Sequence, residues 1–321
     1  MRTIRVGMIG LGTVGSGVVE ILRRHRDDFR SRAGVDIELA RFADRNETLF
    51  RNLELPADAC TTDASELLED DSLDVIIELI GGTGVARDIV IAALESGKSV
   101  VTANKALLAS HGAEVLQTAE RNGVDIAFEA SVGGGIPIIG PLKHSLTSNE
   151  IVKVLGIVNG TTNYMLTRMA EDGLSYEDAL IEAQERGFAE ADPTADVDGF
   201  DAAAKIAILA SIAFNSRVVM SQVPTEGIRS LSTADIEHAA EMGYTIKLLA
   251  LASRTDKGVD IRVHPTMVAK GHPLASVNGV YNAIYVVGDS VGETMFFGEG
   301  AGSLPAASAV VGDLVEVARR S

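Results

Sequence analysis

Gly10-Leu11-Gly12-Thr13-Val14-Gly15 is the segment that most restricts how this chain can fold. It spells G-x-G-x-x-G directly after a strand-like run at 4–9, and directly before Val14, Val18, Val19, Ile21 and Leu22, which share one helical face. Strand, glycine turn and helix in that order predict the opening unit of a parallel sheet that binds a dinucleotide. The first glycine permits a tight turn, the second lets a pyrophosphate approach the backbone, and the third lets helix pack closely on strand. Unpaired N–H groups at the helix start add a positive partial charge. Gly10, Gly12, Thr13, Val14 and Gly15 are therefore candidate cofactor residues, against the plainer reading of a glycine turn without a ligand.

The alternation continues. Strands are expected at 36–43, 73–80, 99–102 and 125–130, with helices at 85–96 and 107–122, as in successive β-α-β units. A glycine and proline run at 132–141 then interrupts any regular element and marks a domain boundary. Beyond it, strands at 151–158, 248–253, 259–266 and 280–287 mix with helices at 162–171, 176–187, 201–213 and 233–244, without strict alternation. That mixture predicts an α+β domain. A last helix at 305–319 is expected to return to the first domain. The fold class is α/β: a Rossmann-type parallel-sheet domain over 1–135 and 303–321, with an inserted α+β domain over 136–302.

Composition narrows the function. A chain of 321 residues with 46% hydrophobic content is long and apolar enough for two packed domains. Its net charge of −17 repels phosphate backbones, which argues against nucleic-acid binding. No run of about 18 apolar residues offers a membrane span, and the first residues lack the apolar core of a signal peptide. Cys60 stands alone, so neither a disulfide framework nor a cysteine-built metal site is available. The six histidines show no zinc-ligand spacing, and neither a G-x-S-x-G elbow nor a Walker loop is present. A cytoplasmic protein is expected.

Several polar residues fall where chemistry needs them. Asp44 ends the second strand, where an acid reads the ribose hydroxyls of NAD, and Arg45 next to it suits the extra phosphate of NADP. The choice between the two cofactors stays open. Lys105 follows the strand at 99–102, at the carboxyl edge where open sheets bind ligands. Asp201 and Lys205 are spaced i, i+4 at the start of a helix whose remainder, Ile206 to Ala210, is apolar almost all round. Burial and neighbouring carboxylates act in opposite directions on a lysine, a balance that suits proton transfer. An ordinary surface ion pair is the competing reading. Glu129 and the irregular backbone after it offer oxygen atoms to a hard cation, against the simpler reading of a glycine-rich linker.

Together, Thr102-Ala103-Asn104-Lys105, the segment Glu129 to Ile138, Asn159-Gly-Thr-Thr-Asn163, the block Glu190 to Lys205, His264-Pro-Thr, His272-Pro-Leu-Ala-Ser-Val and Gly298-Glu-Gly-Ala-Gly302 resemble homoserine dehydrogenases. The resemblance covers essentially the whole chain. It implies NAD(P)-dependent interconversion of L-homoserine and L-aspartate 4-semialdehyde, on the route to threonine, methionine and isoleucine. It puts the catalytic lysine at Lys205, with Asp201 and Lys105 beside the chemistry. Glu190, Asp201, Asp196 and Gly187 fall on the substrate side, and Lys105 and Gly302 on the cofactor side. A monovalent cation such as sodium is implied at Glu129, Val132, Gly134 and Ile136. The inserted domain is implied to carry catalysis and to join a homodimer. The chain stops at Ser321, which implies a short form without a threonine-sensing domain.

Two rivals are worth stating. An aspartate semialdehyde dehydrogenase would acylate a cysteine, and Cys60 sits in the first domain among acids that oppose a thiolate. A dinucleotide-binding sensor without turnover would keep the glycine fingerprint but has no use for Glu190, Asp201 and Lys205 together.

Overall fold

The structure, a computed structural model, describes residues 3–320; Met1, Arg2 and Ser321, at the outer ends of the first expected domain, lie outside the described residues. The chain forms two compact units, Met1–Gly135 with Gly302–Ser321, and Ile136–Ala301.

In the first unit, six strands form one parallel sheet. They are β1 (Thr3–Ile9), β2 (Asp36–Ala43), β3 (Cys60–Thr61), β4 (Val75–Glu78), β5 (Ser99–Thr102) and β6 (Ile126–Ala127), in the order β3-β2-β1-β4-β5-β6. The order reverses direction between β1 and β4, and a crevice at the carboxyl ends of such a pair is where doubly wound sheets take ligands. Central strands need helices on both faces, so β4 and β5 are buried along their whole length. The helices Thr13–Arg24 and Ser303–Arg320 pack together over one face, with Val18, Val19, Ala307, Val310, Val311 and Leu314 buried against Val6, Met8 and Val75. Gly17 permits that approach, since a β-carbon there would lie 2.9 Å from Cβ of Ala307. The strand expected at 125–130 is only two residues long, because Glu129–Ser131 closes into a single tight turn.

The second unit is built on an antiparallel sheet of β7 (Ile151–Ile157), β8 (Tyr244–Thr255), β9 (Gly258–Ala269), β10 (Tyr281–Gly288) and β11 (Gly292–Glu299), ordered β11-β10-β7-β8-β9. One face presents Val154, Ala250, Ala252, Val263, Ile284 and Val286, all buried. The Phe200–Ala213 helix packs on β7, β8 and β9, and the Gly160–Asp172 helix on β8 and β10. On the other face Leu274 and Val277 cover Ile157, Leu249 and Ala283, while Leu155, Leu251 and Val287 stay half-buried and Met295 and Phe297 exposed. The β8–β9 hairpin is about twice as long as its apolar centre, and β11 was not foreseen in the sequence.

Candidate active site

The glycine turn after β1 has the geometry of its sequence. Gly10 adopts φ +100°, and a β-carbon there would lie 2.7 Å from the Leu79 carbonyl carbon. At Gly15 a β-carbon would come within 2.2 Å of the Gly10 oxygen, so the turn itself excludes a side chain there, a tighter constraint than the expected packing of helix on strand. Gly12 has nothing within 4 Å of that position and leaves the approach to the backbone open. The Thr13–Arg24 helix begins with neither a side-chain cap nor an acidic residue of its own in the first turn. Asp44 braces this loop: one carboxylate oxygen accepts the Leu11 N–H at 2.7 Å and the other the Asn46 N–H at 2.8 Å. Arg45 beside it is exposed.

Across the crevice, sequence reasoning missed Glu78. Its carboxylate is fully buried and accepts from the Ile80 and Gly81 N–H groups at 2.9 and 3.1 Å and from the Thr102 hydroxyl at 2.7 Å. Thr102 in turn accepts the Asn104 N–H, and the Asn104 amide donates to the Gly82 carbonyl at 2.7 Å. Asn104 also caps the helix Lys105–Asn122 by accepting the Leu107 N–H. These bonds tie the loops after β4 and β5 together. The legible signal was one carboxylate inside the otherwise apolar run at 75–80.

Lys105 is the first residue of that helix, exposed at its positive end. A cation there opposes the helix dipole, at a cost of about 0.3–1 kcal/mol. Glu129 is buried, and its N–H donates to the carboxylate of Asp313 at 2.7 Å, which fastens the loop to the last helix. Val132 and Ile136 are buried, and Gly134 is left-handed at φ +58°. Gly302 is also left-handed and leads into the helix that Ser303 fixes to the Thr13 carbonyl at 2.6 Å.

The second unit holds a buried lysine–carboxylate pair. Lys205 Nζ donates to Asp201 at 2.7 Å and to the Val158 carbonyl at 2.7 Å. Both side chains are nearly buried, 9% and 7% exposed as residues, which excludes the surface-pair reading. The i, i+4 spacing on Phe200–Ala213 explains the pair. Asp196, on the turn Thr194–Val197, joins through Asn159, whose amide donates to Asp196 at 2.7 Å and to Asp201 at 2.9 Å. Thr194 and Asp198 of the same region hold Arg229.

Glu190 and Gly187 are placed differently. Both are exposed, on a loop where Gly187 is left-handed, whereas Lys205 and Asp201 are buried. The loop is moored by its backbone: Thr161 donates to the Phe188 carbonyl and Gln184 to that of Glu190. Phe188 also stacks edge-on against Tyr164, whose phenol donates to Glu182 and is held above its ordinary range by burial and by that carboxylate.

The remaining sequence candidates recede. Burial pushes the Cys60 thiol up, Asp58 adding to it and Arg41 opposing. Among the described residues no three His, Cys, Asp or Glu side chains cluster as metal ligands, and no helix is long and apolar enough to cross a membrane.

A parallel sheet in the order 3-2-1-4-5-6 with an open glycine turn at its reversal point, on the same chain as a buried lysine–carboxylate pair, defines an oxidoreductase that uses a nicotinamide dinucleotide. The family model for the homoserine dehydrogenase NAD-binding domain matches residues 10–129, and that for homoserine dehydrogenase matches residues 137–315. The homoserine dehydrogenase of Bacillus subtilis is 47% identical over 317 residues, spanning 99% of this chain and 73% of the relative. The crystal structure of a homoserine dehydrogenase from Thiobacillus denitrificans superposes with a TM-score of 0.96 at 46% identity, covering 99% of this chain and 74% of that one. A hyperthermophilic archaeal homoserine dehydrogenase in complex with NADPH superposes at 0.84 with 27% identity, covering 100% and 99%. The chain belongs to the homoserine dehydrogenase family. It is an NAD(P)-dependent oxidoreductase acting on a CH–OH group, interconverting L-homoserine and L-aspartate 4-semialdehyde in amino-acid biosynthesis.

Proposed function

We propose that Lys205 carries the proton half of this reaction. Bound NAD(P) supplies the hydride acceptor or donor. In the oxidising direction the substrate hydroxyl gives its proton to the Nζ lone pair while its carbon gives up a hydride, leaving the aldehyde. In reduction the ammonium returns that proton to the developing alkoxide. The same two acceptors serve both states. A neutral amine spends its two hydrogens on Val158 O and Asp201 and keeps a lone pair, whereas an ammonium keeps a third hydrogen in that direction.

Asp201, with Glu190 and Asp196, supplies negative charge for the substrate ammonium, and Gly187 lines the same approach. On the cofactor side the proposal assigns Gly10, Gly12, Thr13, Val14, Gly15, Asp44, Arg45, Lys105 and Gly302, with Lys105 also a second catalytic amine. A monovalent cation such as sodium fits Glu129 with the carbonyls of Val132, Gly134 and Ile136. Supporting this are the burial of Glu129 and the irregular backbone that follows it, since carboxylate and carbonyl oxygens suit a hard ion of low charge.

The protein is further proposed to act as a cytoplasmic homodimer. Support for the dimer is the open face of the second sheet, where Leu155, Leu251 and Val287 are half-buried and Met295 and Phe297 exposed, an apolar patch suited to a second copy.

The observation that carries the reading is the 2.7 Å Lys205–Asp201 pair in a nearly buried setting. Its test is Lys205→Ala, assayed at 340 nm with homoserine and each cofactor. Turnover is expected to fall at least about 10²–10⁴-fold, as for removal of a general base, with NAD(P) affinity retained in a fluorescence titration. Turnover like the parent's would refute the assignment.

A further inference from the structure

The Asn159 amide touches both Asp196 and Asp201, and its orientation is fixed. Its oxygen accepts the Thr162 N–H at 2.9 Å and the Thr162 hydroxyl at 2.9 Å, which caps the Gly160–Asp172 helix. The nitrogen must therefore face the carboxylates, and its two hydrogens go to Asp196 Oδ1 and Asp201 Oδ2. All four hydrogen-bonding positions of a side chain 6% exposed are used. The Asp201 oxygen that receives Asn159 is the same one that receives Lys205 Nζ. Val158, whose carbonyl is the other acceptor of Lys205, immediately precedes Asn159 in the chain.

We propose that Asn159 is a positioning residue for the proton transfer: its amide fixes the Asp201 carboxylate against Lys205 and withdraws part of its charge, while its backbone delivers the Val158 carbonyl. This deepens, and rests on, the assignment of Lys205 as acid and base. A hydrogen bond donated to a carboxylate stabilises its charge locally and weakens its hold on a neighbouring ammonium. The linkage also joins the turn bearing Asp196 to the helix bearing Asp201, so two segments of the substrate side move as one.

Other charged side chains lie on the elements packed around this group. The Phe200–Ala213 helix packs against β7, β8, β9 and the turn Pro141–Ser145. Along those strands Lys153, Lys247, Asp260, Arg262 and His264 alternate to the opposite sheet face. Arg254 lies over the Phe214 ring at the far end of the helix, and Lys143 and His144 on the turn are exposed.

Two variants separate capping from positioning. Serine and aspartate both cap helices about as well as asparagine. Asn159→Ser keeps an oxygen for Thr162 but loses both donors to the carboxylates; Asn159→Asp keeps the cap and places a third carboxylate beside the other two. The readouts are kcat/KM for homoserine across pH, cofactor affinity and melting temperature. Asn159→Ser is expected to lower kcat/KM roughly ten- to hundredfold with cofactor affinity unchanged. Asn159→Asp is expected to move the acid-side inflection of the kcat/KM profile to higher pH by roughly half to one unit, a three- to tenfold loss at a fixed pH below it. Rates and profiles like the parent's in both variants would overturn the proposal, as would losses that follow melting temperature alone with the inflection unmoved. Retained turnover in Lys205→Ala would instead refute the reading beneath it, whatever the Asn159 variants do.

Discussion

Glu78 ties together the loops at the carboxyl edge of the parallel sheet, and its removal should loosen both. Its carboxylate accepts three bonds, two from the Ile80–Gly81 backbone and one from Thr102, and it has no exposure to water. Glu78→Leu leaves three buried donors without acceptors, at about 1–3 kcal/mol each. Against that total, the substitution recovers roughly 2–3 kcal/mol from burying an apolar side chain. A net loss of about 2–4 kcal/mol is expected. Glu78→Gln is milder. Its oxygen can keep both backbone bonds as neutral ones, while its nitrogen must face the Thr102 hydroxyl and reverse that bond, so about 1–2 kcal/mol is expected. At about 2–4 °C per kcal/mol for a chain of this class, the melting temperature should fall by roughly 5–15 °C in the leucine variant and 2–8 °C in the glutamine variant. NAD(P) binding should weaken in the same order, because Thr102 and Asn104 position Lys105 and the loop that ends at Gly82. Calorimetry and a cofactor fluorescence titration measure both quantities. A leucine variant as stable as the parent, or a glutamine variant worse than the leucine one, would refute the idea that the carboxylate organises this edge.

Other consequences are quicker to state. Lys247 is held down to about 8, mainly by burial with Glu171 opposing, so the unfolded chain binds this proton more tightly than the folded one. Its contribution therefore penalises folding below pH 8 and is relieved as pH rises toward the ordinary lysine value of about 10.4; the stability gap between the parent and Lys247→Met, followed by urea unfolding, should change across that window and stay flat below it. The Asn282 amide is 1% exposed and neither of its polar atoms has a partner among the described residues. Asn282→Leu, of similar shape, is expected to raise stability by about 1–2 kcal/mol, and a fall in melting temperature would show a polar partner there. Cys60→Ala should keep full turnover, since the thiol is half-buried against the core and donates only to the Pro56 carbonyl; loss of activity with retained stability would revive the thiol chemistry set aside above.

How much of this was legible depended on the range of the interaction. The parallel sheet announced itself because each β-α step is local, and the Asp201–Lys205 pair because four residues on one helix are neighbours by construction. Asn159 was visible only as part of a motif, since its partners lie 37 and 42 residues away and nothing in spacing connects them. Glu78 looked like one more strand residue, and Asp313 like a helix-surface acid, until the folded chain brought a backbone N–H to each. β11 escaped because Gly292-Glu-Thr-Met-Phe-Phe-Gly-Glu begins with a glycine and is an edge strand with Met295 and Phe297 on its exposed side, so apolar and polar residues do not sort by alternation.

The lysines make the sharper point about recognising a catalytic residue. The chain has only eight, and three are buried: Lys98, Lys205 and Lys247. Burial alone therefore does not distinguish the one proposed to be catalytic. Lys247 donates to Asn163, Asn278 and the Val277 carbonyl, which spends all three ammonium hydrogens on fastening the segment ahead of β10. Lys98 donates to the Leu68 carbonyl and to Ser96, both neutral, beneath the loop before β5. Lys205 alone combines a carboxylate with a backbone carbonyl, and its two bonds leave one direction unspent. A group that gives and takes a proton needs that combination: an anion to steady the charged state, a fixed acceptor to hold its aim in both states, and one position reserved for the reacting oxygen.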